Sequence, residues 1–123
     1  MYCFIALFML LFMGEPLFAL HENYIVAGPV PFNPNRQVLN ILYEPGAPAH
    51  IDPDQLKVEI FDINGDLVFE GQRSGGTVLP FTWSGRNMGG RMVHPGMYII
   101  KLTVENTGTG AFGRRIIRIV VAR

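Results

Sequence analysis

Asp62, Asn64 and Asp66 place three oxygen-bearing side chains at alternate positions in "FDINGDLVFEG", residues 61–71. A calcium loop of the EF-hand type begins this way, with ligands at its positions 1, 3 and 5, and it also needs glycine at position 6 and a bidentate glutamate at position 12. Counted from Asp62, position 6 is Leu67, the glycine falls at position 4, and position 12 is Arg73, a cation where a carboxylate is required. The same residues fit a second pattern, because Asn-Gly between two apolar runs is the strongest short-range signal for a tight hairpin. Turn chemistry is the better reading. No metal is expected, and Asp62, Asn64 and Asp66 are the residues that would hold one.

The other reactive side chains do not gather into a catalytic set. His21, His50 and His94 fall in a terminal segment and two separate loops, without metal-ligand spacing. Ser74 and Ser84 lie in glycine-rich turns and lack the strand-to-helix setting of a nucleophile elbow. Asp52 and Asp54 bracket Pro53, where short acidic side chains cap turns. The loop "SGRNMGGRMVHPG" carries Arg86 and Arg91 but no Walker-type lysine, and it leads into no helix, so it is not a phosphate cradle. Trp83 reads as a core anchor. The expectation is a protein with no catalytic residue and no cofactor.

Composition narrows the class. The chain has 123 residues, with ten basic against ten acidic side chains, so nothing favours nucleic acid or an anionic membrane as partner. Eight of the ten basic residues are arginine, three of them in "GRRIIR", the solvated flank of a strand. The segment "MYCFIALFMLLFM" has no charged side chain and is shorter than the ~20 residues that span a bilayer. It fits the apolar region of a secretory signal peptide, with residues 1–19 removed after Ala19. The alternative is an uncleaved membrane anchor. Cys3 lies within the same segment, so residues 20–123 contain no cysteine and rely on core and strand ladders for stability.

The elements that must position these residues are strands. Fourteen glycines and nine prolines punctuate short runs rich in Val, Ile, Leu and Phe, the pattern of strands separated by frequent turns. Strands are expected in "YIVAG", "QVLNILYE", "LKVEIFDI", "DLVFEG", "TVLPFTW", "MYIIKLTVEN" and "AFGRRIIRIVVA". Seven strands in about a hundred residues suit an all-β, immunoglobulin-like antiparallel β-sandwich. Pro80 marks its strand as an edge or a bulge. A two-residue Asn64-Gly65 turn would pair Ile60 with Phe69 and Phe61 with Val68, setting Val58, Ile60, Leu67 and Phe69 on the core face.

In order, "PVPFNPN", "VEIFDINGDLV" and "FTWSGRNMGGRMVHPGMYIIKLTV" resemble the immunoglobulin-like domain family named after the bacterial flagellar hook-capping protein. They are also similar to the C-terminal sorting domains of type IX secretion. The resemblance assigns Pro31, Phe32, Asn33 and Pro34 to the family's proline-rich segment. It assigns Asp62, Asn64 and Gly65 to its hairpin turn, and Trp83, Gly85, Asn87 and Gly90 to its tryptophan turn. Gly96 and Tyr98 take the Gly-x-Tyr strand. Ser84 replaces the family's usual aspartate with another short turn-capping oxygen.

The resemblance implies a non-enzymatic, exported module that assembles with other envelope or secreted proteins. Its place would be periplasmic, cell-surface or extracellular, without nucleic acid or small-molecule substrate, and at a membrane only if the first segment is uncleaved. The alternative is a sorting-type domain read by the type IX machinery, standing alone or as a fragment of a larger cargo. A flagellar hook-assembly scaffold is a third reading. Residues 85–95 and the terminal strand, residues 114–122, are the surfaces expected to meet a partner, since edge strands invite pairing.

Overall fold

The computed structural model describes residues 19–123. The expected signal peptide, save Ala19, lies outside the described residues. A 3-10 turn, Glu22–Tyr24, precedes seven strands: β1 Ile25–Gly28, β2 Leu39–Tyr43, β3 Gln55–Asp62, β4 Leu67–Ser74, β5 Phe81–Trp83, β6 Gly96–Asn106 and β7 Ala111–Val121. They form two antiparallel sheets, one ordered β1-β2-β5 and the other β4-β3-β6-β7. The chain changes sheet after β2, β4 and β5. This is the expected immunoglobulin-like antiparallel β-sandwich.

Strand alternation builds the core. In β3 the buried residues are Leu56, Val58 and Ile60; in β6 they are Tyr98, Ile100, Leu102 and Val104. From the smaller sheet, Ile25, Leu39, Ile41, Phe81 and Trp83 face them. Two-residue periodicity puts each of these sets on one face, and burying such a side chain contributes about 1.5–3 kcal/mol relative to exposure. Trp83 is the hub of the aromatic part, with ring centroids 5.9 Å from Phe32, 6.1 Å from Phe69 and 6.4 Å from Tyr98.

The β3–β4 hairpin departs from the expected register. Ile60 does pair with Phe69, but Phe61 pairs with Leu67, and Val68 is the extra residue of a bulge. The cause is the turn. A two-residue type I′ turn requires positive φ at both central residues, and here only Gly65 has it, at 86°. Oδ1 of Asp62 instead accepts from the backbone N–H groups of Asn64, at 2.9 Å, and Asp66, at 3.0 Å. The N–H of Asp62 donates to the carbonyl of Asp66 at 2.9 Å, closing a three-residue loop. Leu67 is therefore turned outward, 46% exposed, whereas Val68 packs against the core.

The strand expected over residues 77–83 shrinks to Phe81–Trp83, directly after Pro80, which has no N–H to donate. It is an edge of its sheet, as a proline-bearing strand should be.

Candidate interaction edges and the bracing loop

The residues that carried the family resemblance meet at one end of the sandwich. Indole Nε1 of Trp83 donates to the carbonyl of Arg86 at 2.9 Å, fixing the start of the loop that follows β5. Gly85 has φ +82°, and a Cβ there would lie 2.5 Å from Cβ of Pro34, so the proline-rich segment and the tryptophan turn interlock only around a glycine. The loop then folds back as a small hairpin, with Arg86 bridged to Met92 and the N–H of Val93 donating to Gly85 at 2.9 Å. Oδ1 of Asn87 closes its tip by accepting from the N–H groups of Gly89 and Arg91, both at 3.0 Å. Hydroxyl-to-carbonyl donation from Tyr98 to His94, at 2.6 Å, ties the loop's end to β6.

Between this loop and the β3–β4 turn runs a groove of about 360 Å³, lined by Asp62, Val68, Asn87, Arg91, Met92 and Tyr98 among others. Burial pushes the Tyr98 hydroxyl above its usual pKa of 10.0, helped by the Asp62 carboxylate and opposed by Arg123. Oδ1 of Asp62 is already engaged by its own turn. Among the described residues, no three or more of His, Cys, Asp and Glu are grouped so as to hold a metal ion.

A second polar cluster was not visible in the sequence. Tyr43 stacks on His50 with ring centroids 3.7 Å apart, and His50 Nε2 lies 3.2 Å from Oδ1 of Asp52. The Tyr43 hydroxyl donates to the carbonyl of Leu20 at 2.6 Å. Burial, then the charges of Asp52 and Glu22, push its pKa to about 12. Asp54 does cap, but across the fold: Oδ2 accepts from the Thr107 hydroxyl at 2.6 Å and Oδ1 from the Thr107 N–H at 3.1 Å. These bonds hold the Asp54 carboxyl below the ordinary range.

The two edges of the larger sheet differ. At β4 the loop intervenes: the N–H of Met88 donates to the carbonyl of Val68 at 3.0 Å, and the N–H of Glu70 donates to Sδ of Met88 at 3.3 Å. At β7 only the C-terminal end is covered. The N–H of Phe32 donates to the carbonyl of Val120 at 2.8 Å, and the N–H of Ala122 donates to Phe32 at 2.9 Å. Nothing in the sequence flagged this pairing, which joins segments about 90 residues apart. Because outward-facing backbone groups alternate along a strand, those bonds at Val120 and Ala122 leave the N–H and C=O of Phe112, Arg114, Ile116 and Arg118 aimed away from β6. None of these groups bonds to a described residue beyond the β6–β7 ladder.

No protein-family model matches the sequence, and no curated protein matches it. Two solved structures share the fold. One is PorZ, an essential bacterial surface component of the type-IX secretion system of Porphyromonas gingivalis, with TM-score 0.54 and 20% identity over 82% of this chain and 12% of that one. The other is dimeric latent PorU from Porphyromonas gingivalis, with TM-score 0.54 and 17% identity over 80% of this chain and 9% of that one. The chain thus spans roughly a tenth of the length of each. At these identities the likeness is one of fold.

Proposed function

We propose that the chain serves type IX secretion in a bacterial envelope as an immunoglobulin-like module that acts by protein contact, without catalysis. The observation that carries this reading is the match of 82% of the chain to part of PorZ, a surface component of type IX secretion, with a similar match of 80% to part of PorU from the same organism. The residue strings of the sorting-domain resemblance support it as well, since they build one interlocked end of the sandwich around Gly85, Trp83 and Asn87. Edge strands supply the means of contact, because an unpaired ladder can accept a strand from a partner.

The test follows the chain's route. An epitope placed in the exposed loop at residues 44–46 leaves the sheets intact. The tagged chain is expressed in a bacterium with intact type IX secretion and in a matched strain lacking it. Surface or extracellular epitope in the first strain only is the expected result. The same location in both strains would overturn the type IX reading. A second reading, an assembly module that stays in the envelope, is favoured by the open β7 edge and predicts a stable co-purifying envelope protein.

A further inference from the structure

We infer that the free edge of β7, from Phe112 to Arg118, is a docking site for an extended protein segment carrying carboxylates four residues apart around an apolar residue. The inference rests on the reading of the chain as an interaction module and names the chemistry of its partner.

Four observations converge. The outward backbone groups of Phe112, Arg114, Ile116 and Arg118 form an unpaired ladder over seven residues, ~23 Å at the usual strand rise. The edge accepts a strand where it is offered one, since Phe32 already makes two ladder bonds with Val120 and Ala122. That pairing stops after one residue, Phe32 opposite Val121. Finally, the side chains beside the ladder alternate in kind on the outer face: Phe112 is 55% exposed, Ile116 is 62% exposed, and Arg114 and Arg118 are exposed between and beyond them.

On the edge strand itself the outward charge is all cationic. Arg114 folds over the Phe112 ring at 5.4 Å, and neither Arg114 nor Arg118 makes an ion pair with a described residue. Lys101, the β6 partner of Ile116, lies on the same face but has the carboxylate of Glu59 on β3 as its other cross-strand partner, and Glu105 stands across from Phe112, so the cations left for a partner are Arg114 and Arg118. Cross-strand partners share a face and interact directly. A strand added here would set one carboxylate against Arg114, an apolar side chain against Ile116 and a second carboxylate against Arg118.

A second copy of this chain does not meet that requirement. In antiparallel pairings of β7 with β7 that overlap within residues 114–118, Arg114 or Arg118 of one copy stands opposite or diagonal to an arginine of the other. Like charges so placed destabilise a sheet.

The probe is a fluorescein-labelled peptide, Thr-Glu-Thr-Val-Thr-Glu-Thr, titrated with the full-length chain at low salt. Saturable anisotropy is expected, weakened at least about tenfold by Arg114→Glu with Arg118→Glu, and absent when lysine replaces both glutamates in the peptide. Ile116→Pro removes one outward N–H without breaking the β6 ladder and should weaken binding too. Circular dichroism melts establish that the variants fold. No saturable binding, or equal binding by the charge-reversed variant, overturns the assignment, as does a concentration-dependent dimer abolished by Ile116→Pro. Envelope proteins captured equally by wild type and variant would sink the edge and leave the interaction module standing. Peptide binding to a chain whose location ignores type IX secretion would do the reverse.

Discussion

The two edges of the four-stranded sheet are built from similar strands and end differently. Edge β4 carries a bulge at Val68, and the hairpin of residues 85–93 lays Met88 along it, so that a carbonyl and an N–H are both answered within the chain. Edge β7 runs through the same eleven residues as its β6 partner without a register shift, and Phe32 covers only its last turn of ladder. Bulges, covering loops and short length are the means by which sheets avoid unwanted pairing. Here one edge has two of these, and the other keeps a regular, open stretch guarded only by arginines. The contrast separates an edge whose bulged end, at Val68 and Glu70, is covered, with Gln72 and Ser74 beyond it left open, from one whose open stretch is bordered by arginines.

Trp83 joins the two regions, so removing it should break both at once. Its ring touches Phe32, which seals the end of β7, and Phe69 of β4, while its N–H holds the loop through Arg86. Trp83→Ala is expected to cost about 3–5 kcal/mol in urea unfolding, the usual range for a buried aromatic. A loss under about 1 kcal/mol would mean that the two edges are supported independently. Gly85→Ala acts on the closed side. Left-handed strain and overpacking against Pro34 together should cost roughly 2–4 kcal/mol. If the open edge is independent of the loop, the glutamate peptide binds the folded fraction of this variant with unchanged affinity.

How much of this was legible depends on the range of the forces. The alternation of Leu56, Val58 and Ile60, and of Tyr98 through Val104, announces core faces because strand periodicity is local. All seven strands follow from such runs. The β3–β4 register was only half legible, since the choice of turn lay with a side chain: Asp62 caps its own turn, lengthens the loop by one residue and displaces Leu67 from the core. The edges were legible as strands but not as open or closed. Met88 on Val68 and Phe32 on Val120 are single long-range contacts with no periodic signature. The terminal strand, expected to meet a partner over residues 114–122, is self-paired by Phe32 at Val120 and Ala122 and open from Phe112 to Arg118.

Alkaline pH should sharpen the same division. Tyr98 anchors the bracing loop through His94, and Tyr43 anchors the first described residues through Leu20. Both pKa values are raised by burial, Tyr43 to about 12. The folded state therefore holds these protons more tightly than the unfolded chain, and stability is fully present below pH 10 and lost as pH climbs toward 12. Thermal melts across that window should fall, and Tyr43→Phe should flatten the fall. Arginine keeps its charge throughout the window, so the open edge retains its field while the closed side loosens. A Tyr43→Phe protein with an unchanged alkaline decline would rule out this hydroxyl as the cause.

The smallest expected effect on stability discriminates best between the edges. Met88 is 67% exposed, and its sulfur makes a weak acceptor for the Glu70 N–H. Met88→Ala should therefore shift global stability by less than about 1 kcal/mol, as surface changes usually do. Amide exchange reads the local consequence. In the wild type, the amides of Arg114, Ile116 and Arg118 should exchange fast, and those of Arg115 and Ile117, which are bonded to β6, slowly. Glu70 should be protected despite standing on an edge. Met88→Ala should bring Glu70 to the fast class and leave the β7 alternation untouched, because protection follows a local bond and not global unfolding. If Glu70 already exchanges as fast as Ile116 in the wild type, the loop does not close β4, and the two edges are alike in the respect that matters for binding.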